Sequence, residues 1–251
     1  MINRYPQSYL RARQRDWYKV SAKENKDGKL IGQVEILDAI DEIYGVNPSE
    51  LIAQIRAMDV DQIKVIINSP GGSVFGGLGI FNALKSHKAE ITTENIGLAA
   101  SIASVIMMAG DNSFQHEQSM TMIHRAWGVV IGNGAELRDT AAILDKIDGQ
   151  LISIYAGKTK LDPVVIESMM EKETWLTAAE SQEMNFAKTL EYETIKANAA
   201  FDLSIYKNTP DILKKVTNEA LLNKARVEEI AKAEQNRKEI MRRRIELLEL
   251  N

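Results

Sequence analysis

The chain of 251 residues contains no cysteine. Disulfide bonds, thiolate metal sites and cysteine nucleophiles are therefore excluded. The absence fits a reducing compartment such as the cytoplasm. Histidine is scarce as well, since the sequence holds only 3, and any chemistry that needs an imidazole must use one of them.

The sequence also lacks a dominant charge and a long apolar run. Its 31 basic and 35 acidic residues are mixed along the chain and leave a net charge of −4, which gives no sign of nucleic-acid binding. The longest apolar stretch, around residues 97–110, is too short and too rich in small residues to span a bilayer. The polar N-terminus has no apolar segment of the kind that signals secretion. We therefore expect a soluble, cytoplasmic protein that binds neither nucleic acid nor membrane.

The patterns that are present alternate between strand and helix types. Residues 63–67 form a short run rich in Ile and Val, typical of a strand buried on both faces. A helix-like segment follows at 74–86, a second strand is predicted at 90–96, and an apolar helix-like stretch covers 101–109. This order predicts an α/β fold in which right-handed crossovers place both strands in one mostly parallel sheet with flanking helices.

Further elements are predicted on either side of this unit. Residues 30–37 alternate between apolar and polar, as a strand does. The segment Asn47-Pro48-Ser49-Glu50 is typical of a helix start, because Asn caps, Pro suits the first helical position and Glu the third. A short apolar strand is predicted at 120–123, and helices at 134–155 and 162–172.

Composition divides the chain into three parts. Residues 1–26 are predicted to be a polar N-terminal arm, and residues 27–203 a single folded domain. Beyond Pro210 the chain becomes highly charged, and apolar residues recur at helical spacing. We therefore predict an amphipathic, charged helical tail over 210–251, with a boundary near 203–210.

The loop after the first buried strand, Ile67-Asn68-Ser69-Pro70-Gly71-Gly72, ends in two glycines. Neighbouring glycines permit positive φ and leave backbone N–H groups approachable. Such amides can form an oxyanion hole in a hydrolase. A phosphate-binding P-loop is excluded because its Lys and Ser/Thr are missing, and a plain tight turn is the alternative.

Ser101 follows the small residues Gly97-Leu98-Ala99-Ala100 and precedes the apolar helix-like stretch. A serine at such a strand-to-helix turn resembles a nucleophile elbow without its G-x-S-x-G spelling. The alternative is a plain helix N-cap, a common position for serine. Ser104 lies one turn into the predicted helix, where buried packing is the simpler role.

A serine nucleophile needs a base, and His124 is the best placed of the three histidines. It follows the strand at 120–123, at the carboxyl edge where α/β proteins place their sites. His87 lies at a charged helix end and is expected to face solvent, while His116 lies in a polar stretch. Spacing alone does not select, from 35 carboxylates, the acid that would orient the base.

Four segments, taken in order, resemble the proteolytic subunit of the Clp protease family (ClpP) over about residues 31–188. These segments are Ile67-Asn68-Ser69-Pro70-Gly71-Gly72, Gly97-Leu98-Ala99-Ala100-Ser101, Met122-Ile123-His124 and Glu173-Thr174-Trp175-Leu176-Thr177-Ala178. The amino-acid sequences of residues 68–75, 99–110 and 173–178 are most similar to those of the phage and prophage relatives, the head maturation or prohead proteases.

The resemblance implies a crotonase-like α/β fold, a peptidase domain over 27–203 and a serine endopeptidase site. Ser101 matches the family's nucleophile and His124 its general base. The backbone amides that match the oxyanion hole are those of Gly71, Gly72 and Ile102.

The resemblance departs at the third member of the site, because Glu173 stands where ClpP has aspartate. Glutamate can orient a histidine in hydrolases, but its side chain is one methylene longer. We expect Glu173 to be the orienting acid, and a dyad assisted by a backbone carbonyl is the alternative.

The resemblance also implies partners. The family assembles as heptameric rings, single or double, which enclose the sites, and ClpP receives unfolded chains from an ATP-driven unfoldase. The phage relatives cleave scaffold or capsid proteins during head assembly. The predicted helix at 134–155, with its apolar stripe, matches the family's handle helix, so we expect a homo-oligomer that acts on polypeptides and needs no cofactor or metal.

Two other functions share parts of this pattern. A catalytically inactive ClpP-like ring subunit with a structural role is compatible with Glu173, although Ser101 and His124 are intact. A crotonase-fold acyl-CoA enzyme would use the same kind of amide pair on a thioester oxygen. Such enzymes place carboxylates at the site rather than a Ser–His pair.

Overall fold

A computed structural model describes residues 18–24, 28–43, 45–191, 203 and 206–210. The chain divides into two compact units, Met1–Ala199 and Ala200–Asn251. In the second unit the Thr209 hydroxyl donates to the carbonyls of Leu203 and Tyr206. The predicted helical tail beyond Pro210 and the first 17 residues of the predicted arm lie outside the described residues.

The described part of the first unit contains eight strands and six helices. In chain order they are β1 (Tyr18–Glu24), β2 (Leu30–Ile36), α1 (Pro48–Ala57), β3 (Gln62–Ser69), α2 (Val74–Lys85), β4 (Glu90–Ala100), α3 (Ile102–Met107), β5 (Asn112–His116), β6 (Met120–Ile123), α4 (Gly134–Thr159), α5 (Pro163–Glu171), β7 (Thr174–Thr177), α6 (Ala178–Glu183) and β8 (Lys188–Leu190). Among these helices none is both long and apolar enough to cross a bilayer.

The strands form one sheet in the order β1-β2-β3-β4-β5-β8, and β6 pairs with both β4 and β7. The β1–β2 and β6–β7 pairs are antiparallel, and the others are parallel. Parallel neighbours with helical crossovers define a mixed α/β fold. The predicted α/β class with a mostly parallel sheet and flanking helices is therefore confirmed.

The core lies between one face of this sheet and the helices. On β2 and β3 the buried residues alternate with partly exposed ones, as the pleat requires. Fully buried side chains of the cluster include Val34, Ile63, Val65, Leu51 and Ile80. Each such aliphatic side chain contributes about 1.5–3 kcal/mol through burial, so this face fixes the register that positions the strand ends.

The longest strand, β4, uses one edge for two partners. Its residues Thr92–Asn95 pair with β5, and its last residues, Leu98–Ala100, pair with β6. Because β4 and β6 are parallel, their carboxyl ends lie side by side. The residues that follow them, Ser101 and His124, are therefore brought to the same edge of the sheet.

Several predicted helix boundaries agree with the structure. Asn47 caps α1 by accepting the N–H groups of Ser49 and Glu50, as its sequence indicated. The helix predicted at 134–155 is α4, which starts at a capping box and runs on to Thr159. It ends at Lys160, whose left-handed φ of 66° closes the last turn.

Two predicted boundaries are wrong. The polar arm was predicted to cover 1–26, but Tyr18–Glu24 is strand β1, paired with β2. The pairing satisfies the edge of β2, and Gly28, shortly before β2, has a φ of 75° that glycine adopts readily. The strand predicted at 90–96 continues through Gly97 to Ala100, because the Asn68 side chain fills the space beside Gly97 and accepts the Leu98 N–H at 3.0 Å.

Candidate active site

Ser101 is a one-residue turn between strand β4 and helix α3. Its backbone has φ 54° and ψ −129°, a conformation that costs a residue other than glycine about 1–3 kcal/mol. Its N–H donates to the Met122 carbonyl at 2.9 Å, which ties the turn to β6. Its carbonyl accepts from the Ser104 N–H at 3.0 Å and from the Ser104 hydroxyl at 2.6 Å.

The Ser104 hydroxyl belongs to a buried chain of hydrogen bonds behind this turn. Since its single proton is used on the Ser101 carbonyl, the Tyr155 hydroxyl at 2.7 Å must donate to it. Burial raises the pKa of Tyr155 far above its ordinary value, so the phenol stays protonated and remains a donor. Ser104 is fully buried, which confirms the packing role predicted for it.

The Ser101 side chain does not cap α3, although the residue occupies the N-cap position. Its Oγ lies 2.7 Å from the His124 Nε2. In the neutral tautomer with the proton on Nδ1, Nε2 accepts the hydroxyl proton. The plain N-cap interpretation therefore does not account for the direction of this hydroxyl, and the two residues singled out in the sequence are in direct contact.

The environment of His124 favours the neutral imidazole. Burial lowers the pKa of His124, and the charge of Glu173 raises it in part. The net direction is downward, so the ring is unprotonated at neutral pH. An unprotonated imidazole beside a hydroxyl is the state that a general base requires.

Glu173 lies in the turn between α5 and β7, directly before the strand that pairs with β6. The antiparallel register of β6 and β7 ends with the pair Ile123 and Thr174, so His124 and Glu173 are the residues next to the last pair. Glu173 has a positive φ of 50°, and its Oε1 accepts the Trp175 Nε1–H at 3.3 Å. The charge of Glu173 acts on the His124 imidazole by raising its pKa in part.

The glycine loop after β3 packs directly against the serine turn. Gly71 has a φ of 94°, and a Cβ built on it would lie 2.7 Å from the Ser101 Cβ. The Gly71 amide donates to the Ser69 Oγ at 3.2 Å. Within the described residues no hydrogen bond uses the amides of Gly72 and Ile102, the latter being the first residue of α3. The geometry therefore leaves the Gly72 and Ile102 amides available as an oxyanion-binding pair, whereas the Gly71 N–H is already engaged.

The other two histidines have partners elsewhere. His87 was expected to face solvent but is half-buried, because its Nδ1 accepts the Ala89 N–H and its Nε2 donates to the Met58 carbonyl. His116, from the polar stretch, is the last residue of β5; it is buried and contacts Glu94 through Nε2 at 2.8 Å. Neither contact involves a nucleophile.

The Ser101–His124 contact therefore lies on a strained turn at the carboxyl edge of a mostly parallel sheet in an α/β fold. The Clp protease family matches residues 23–191. The chain therefore belongs to the Clp protease family, as the resemblance of its motifs predicted.

Several curated relatives are proteolytic subunits by name. The ATP-dependent Clp protease proteolytic subunit of Bacteroides fragilis is 35% identical over 150 residues, which cover 57% of this chain and 72% of the relative. The subunit of Bacteroides thetaiotaomicron is 33% identical over 139 residues, 53% of this chain and 63% of the relative. Subunit 1 of Salinibacter ruber is 31% identical over 148 residues, 57% of this chain and 62% of the relative.

Proposed function

We propose that this chain is a serine endopeptidase in which Ser101 is the nucleophile and His124 the general base. The observation that carries the proposal is the 2.7 Å contact between the Ser101 Oγ and the His124 Nε2, made at a strained strand-to-helix turn. The lowered pKa of His124 supports the base role, and membership of the Clp protease family supports the reaction class.

In the proposed mechanism His124 takes the hydroxyl proton as the Ser101 Oγ attacks the carbonyl carbon of a peptide. The C=O π bond opens, and the resulting oxyanion accepts hydrogen bonds from the Gly72 and Ile102 amides. The imidazolium then protonates the leaving amine as the C–N bond breaks, and water repeats the sequence on the acyl-enzyme. Glu173 holds the imidazole orientation and stabilises its charge while it carries the proton.

The first test is covalent labelling with a fluorophosphonate, which reacts only with an activated serine. We expect the probe on Ser101 in the full-length chain, located by peptide mass spectrometry, and no label in Ser101→Ala or His124→Ala. A folded wild-type chain that stays unlabelled, or a Ser101→Ala variant that still hydrolyses peptides, would contradict the assignment. Ser104→Ala is the comparison variant: it removes a nearby hydroxyl that supports the Ser101 carbonyl but does not contact His124, so Ser101 should still take the label, at a reduced rate.

The proposed substrate is a scaffold or capsid protein processed during phage head maturation. The support comes from the sequence: residues 68–75, 99–110 and 173–178 resemble the corresponding segments of the phage and prophage relatives. We expect discrete cleavage of a scaffold or capsid protein encoded beside the gene for this chain. General degradation of unfolded casein with no such discrete products would instead favour a housekeeping role in the cytoplasm.

The proposed assembly is a homo-oligomeric ring, heptameric and either single or double, served in the housekeeping case by an ATP-dependent unfoldase. Its support is the names of the relatives, which are ATP-dependent proteolytic subunits, and a set of exposed apolar side chains. These are Trp127, Val129, Ile131, Leu137 and Ile143, more than isolated surface residues would account for. Native mass spectrometry should show multiples of seven protomers, and a monomer at working concentration would contradict this assembly.

The inactive ring subunit is the second candidate function, because glutamate replaces the family's aspartate at residue 173. In an inactive subunit Ser101 would resist the fluorophosphonate although the ring assembled. A crotonase-type acyl-CoA enzyme is disfavoured, since the site presents a Ser–His contact where such chemistry places carboxylates.

A further inference from the structure

The segment after His124 belongs to no strand or helix, yet a buried acid holds its beginning. Asp148 lies in α4 and is only 4% exposed. Its Oδ1 accepts the Ala126 backbone N–H at 2.7 Å. Its Oδ2 lies 3.1 Å from the Arg125 Nε, an ion pair whose alignment is not that of a hydrogen bond. Arg125 continues to α5, where its Nη2 lies 3.4 Å from the Glu167 Oε1.

The Ala126 contact is the main fixed point of this stretch. Among the described residues, the backbone of 125–132 makes one hydrogen bond to the rest of the chain, from the Ala126 N–H to Asp148. The residues beyond it, from Gly128 to Gly132, are exposed. A segment of this kind takes its position from the contact at its start.

Stability alone does not explain why the carboxylate of Asp148 is buried. Burial raises the pKa of Asp148, and the Ala126 hydrogen bond and the Arg125 charge only partly oppose this effect. A buried ion pair of this kind is weak evidence for stability, because desolvation offsets the attraction. Asp148 instead provides a hydrogen-bond acceptor, fixed on the long helix α4, for the backbone next to His124.

We infer that Asp148 is a positioning residue for the proposed peptidase chemistry. Its carboxylate fixes the backbone two residues after His124 and thereby holds the imidazole within hydrogen-bond distance of Ser101. The inference rests on the proposed function, because it concerns how the proposed base is kept in place. A displacement of about 1 Å at such a group can lower the rate on the order of 10²-fold.

The test uses two substitutions of nearly equal size and shape, of which only one keeps an acceptor. Asp148→Asn retains an oxygen for the Ala126 N–H, and Asp148→Leu retains none. The readout is the rate constant for fluorophosphonate labelling of Ser101 in the full-length chain. We expect Asp148→Asn to label at close to the wild-type rate and Asp148→Leu on the order of 10²-fold more slowly. Asp145→Leu, at an exposed position of the same helix, is the matched control and should label normally.

A pH profile separates positioning from an electrostatic role. The charges that shift the pKa of His124 include that of Glu173 but not that of Asp148. Turnover of a fluorogenic peptide by Asp148→Leu should therefore show a lower kcat with an unchanged pH midpoint. A shifted midpoint would overturn positioning as the explanation.

The outcomes distinguish the inference from the proposed function. A wild-type chain unlabelled on Ser101 removes the proposed function and the inference with it. If the wild type is labelled and Asp148→Leu is labelled at the same rate, only the inference is overturned. The inference is also overturned if Asp148→Asn is labelled as slowly as Asp148→Leu. If circular dichroism shows Asp148→Leu unfolded, Asp148→Glu takes its place: it keeps the charge but moves the acceptor by one methylene, so it should label slowly, and a wild-type rate would overturn the inference.

Discussion

Two histidines lie at the ends of strands that both pair with β4, and the structure gives them different partners. His116 ends β5 with its Nε2 2.8 Å from the Glu94 Oε1, and the other Glu94 oxygen lies 2.5 Å from the Lys64 Nζ. His124 follows β6 with its Nε2 2.7 Å from the Ser101 hydroxyl. One imidazole is enclosed in an ion-pair cluster across three strands, and the other faces a potential nucleophile.

The difference shows that the partner, rather than burial, decides what a histidine can do. His116 is buried and His124 is partly buried, both at the same sheet. Glu94 binds the His116 imidazole and Lys64 binds Glu94, so His116 contributes to the stability of the fold. The strained turn at Ser101 presents a hydroxyl to His124 and leaves that ring ready to take a proton.

Exchanging each histidine for alanine should separate the two roles, and this is the largest effect we expect. His124→Ala should lower kcat on the order of 10⁴–10⁶-fold, as loss of a catalytic base does in serine proteases, with little change in stability. His116→Ala should keep most activity but destabilise the fold by about 1–3 kcal/mol, because Glu94 loses a buried partner. Peptide hydrolysis and urea unfolding of both variants test this, and the reverse assignment of effects would break the comparison.

Removing the charge of Glu173 should act on His124 alone. Burial already lowers the pKa of His124, and Glu173 raises it, so Glu173→Gln should lower it further. The rate, which rises as His124 loses its proton, should then reach half-maximum at a lower pH than in the wild type. The plateau should also fall, on the order of up to 10⁴-fold, because the imidazole loses its orienting carboxylate.

The profile of kcat against pH measures both effects of Glu173→Gln, and Glu171→Gln, at the exposed end of α5, is the control. Glu173→Asp restores the family's residue and should restore much of the plateau. An unchanged midpoint and plateau in Glu173→Gln would favour the backbone-assisted dyad.

The sequence predicted the α/β class because its signals were local: the Ile- and Val-rich run at 63–67 and the cap at Asn47 need no tertiary information. It missed β5, β7 and β8, since strands of three to five residues that include polar positions carry too little periodicity. In the fold β5 pairs with β4, β7 with β6 and β8 with β5, so each of these strands depends on a partner that is distant in sequence.

For the site, the motifs singled out Ser101 and His124, and the structure brings them into contact. The sequence did not show which of the Gly71 and Gly72 amides is available for an oxyanion. The Ser69 hydroxyl engages the Gly71 amide, and this hydrogen bond depends on the folded conformation of the loop. No sequence pattern indicated Asp148 either, because the sequence of its helix shows an apolar stripe and Asp148 is one of several charged residues between the apolar ones. A buried acid facing a loop is visible only after the chain has folded.

The ion-pair cluster of His116 should show itself in acid stability. Burial opposes ionisation of Glu94, but the hydrogen bonds from Lys64 and His116 outweigh it, and the pKa of Glu94 lies below its ordinary value. The cluster therefore contributes stability above the ordinary carboxyl pKa and loses it as the pH falls through the lowered one. Glu94→Gln should cost about 1–3 kcal/mol at neutral pH, and its difference from wild type should shrink in acid.

Urea unfolding at neutral and acid pH measures the Glu94→Gln difference, with Glu90→Gln, an exposed residue of the same strand, as control. A difference that stays constant with pH would show that the charge of Glu94 is not what the cluster uses.

The smallest effect concerns the support behind the serine turn. Tyr155→Phe removes the hydroxyl that donates to Ser104 at 2.7 Å and should cost about 1 kcal/mol of stability. The Ser104 hydroxyl still donates to the Ser101 carbonyl in this variant, so the labelling rate should change little. Ser104→Ala removes that bond as well and leaves the Tyr155 hydroxyl buried without its acceptor, so it should be the more destabilised and the slower of the two. If Tyr155→Phe were labelled as slowly as His124→Ala, helix α4, which carries Tyr155, would control the reactivity of Ser101 as directly as His124 does. The contrast between a reactive Ser–His pair and surroundings that only support it would then no longer hold.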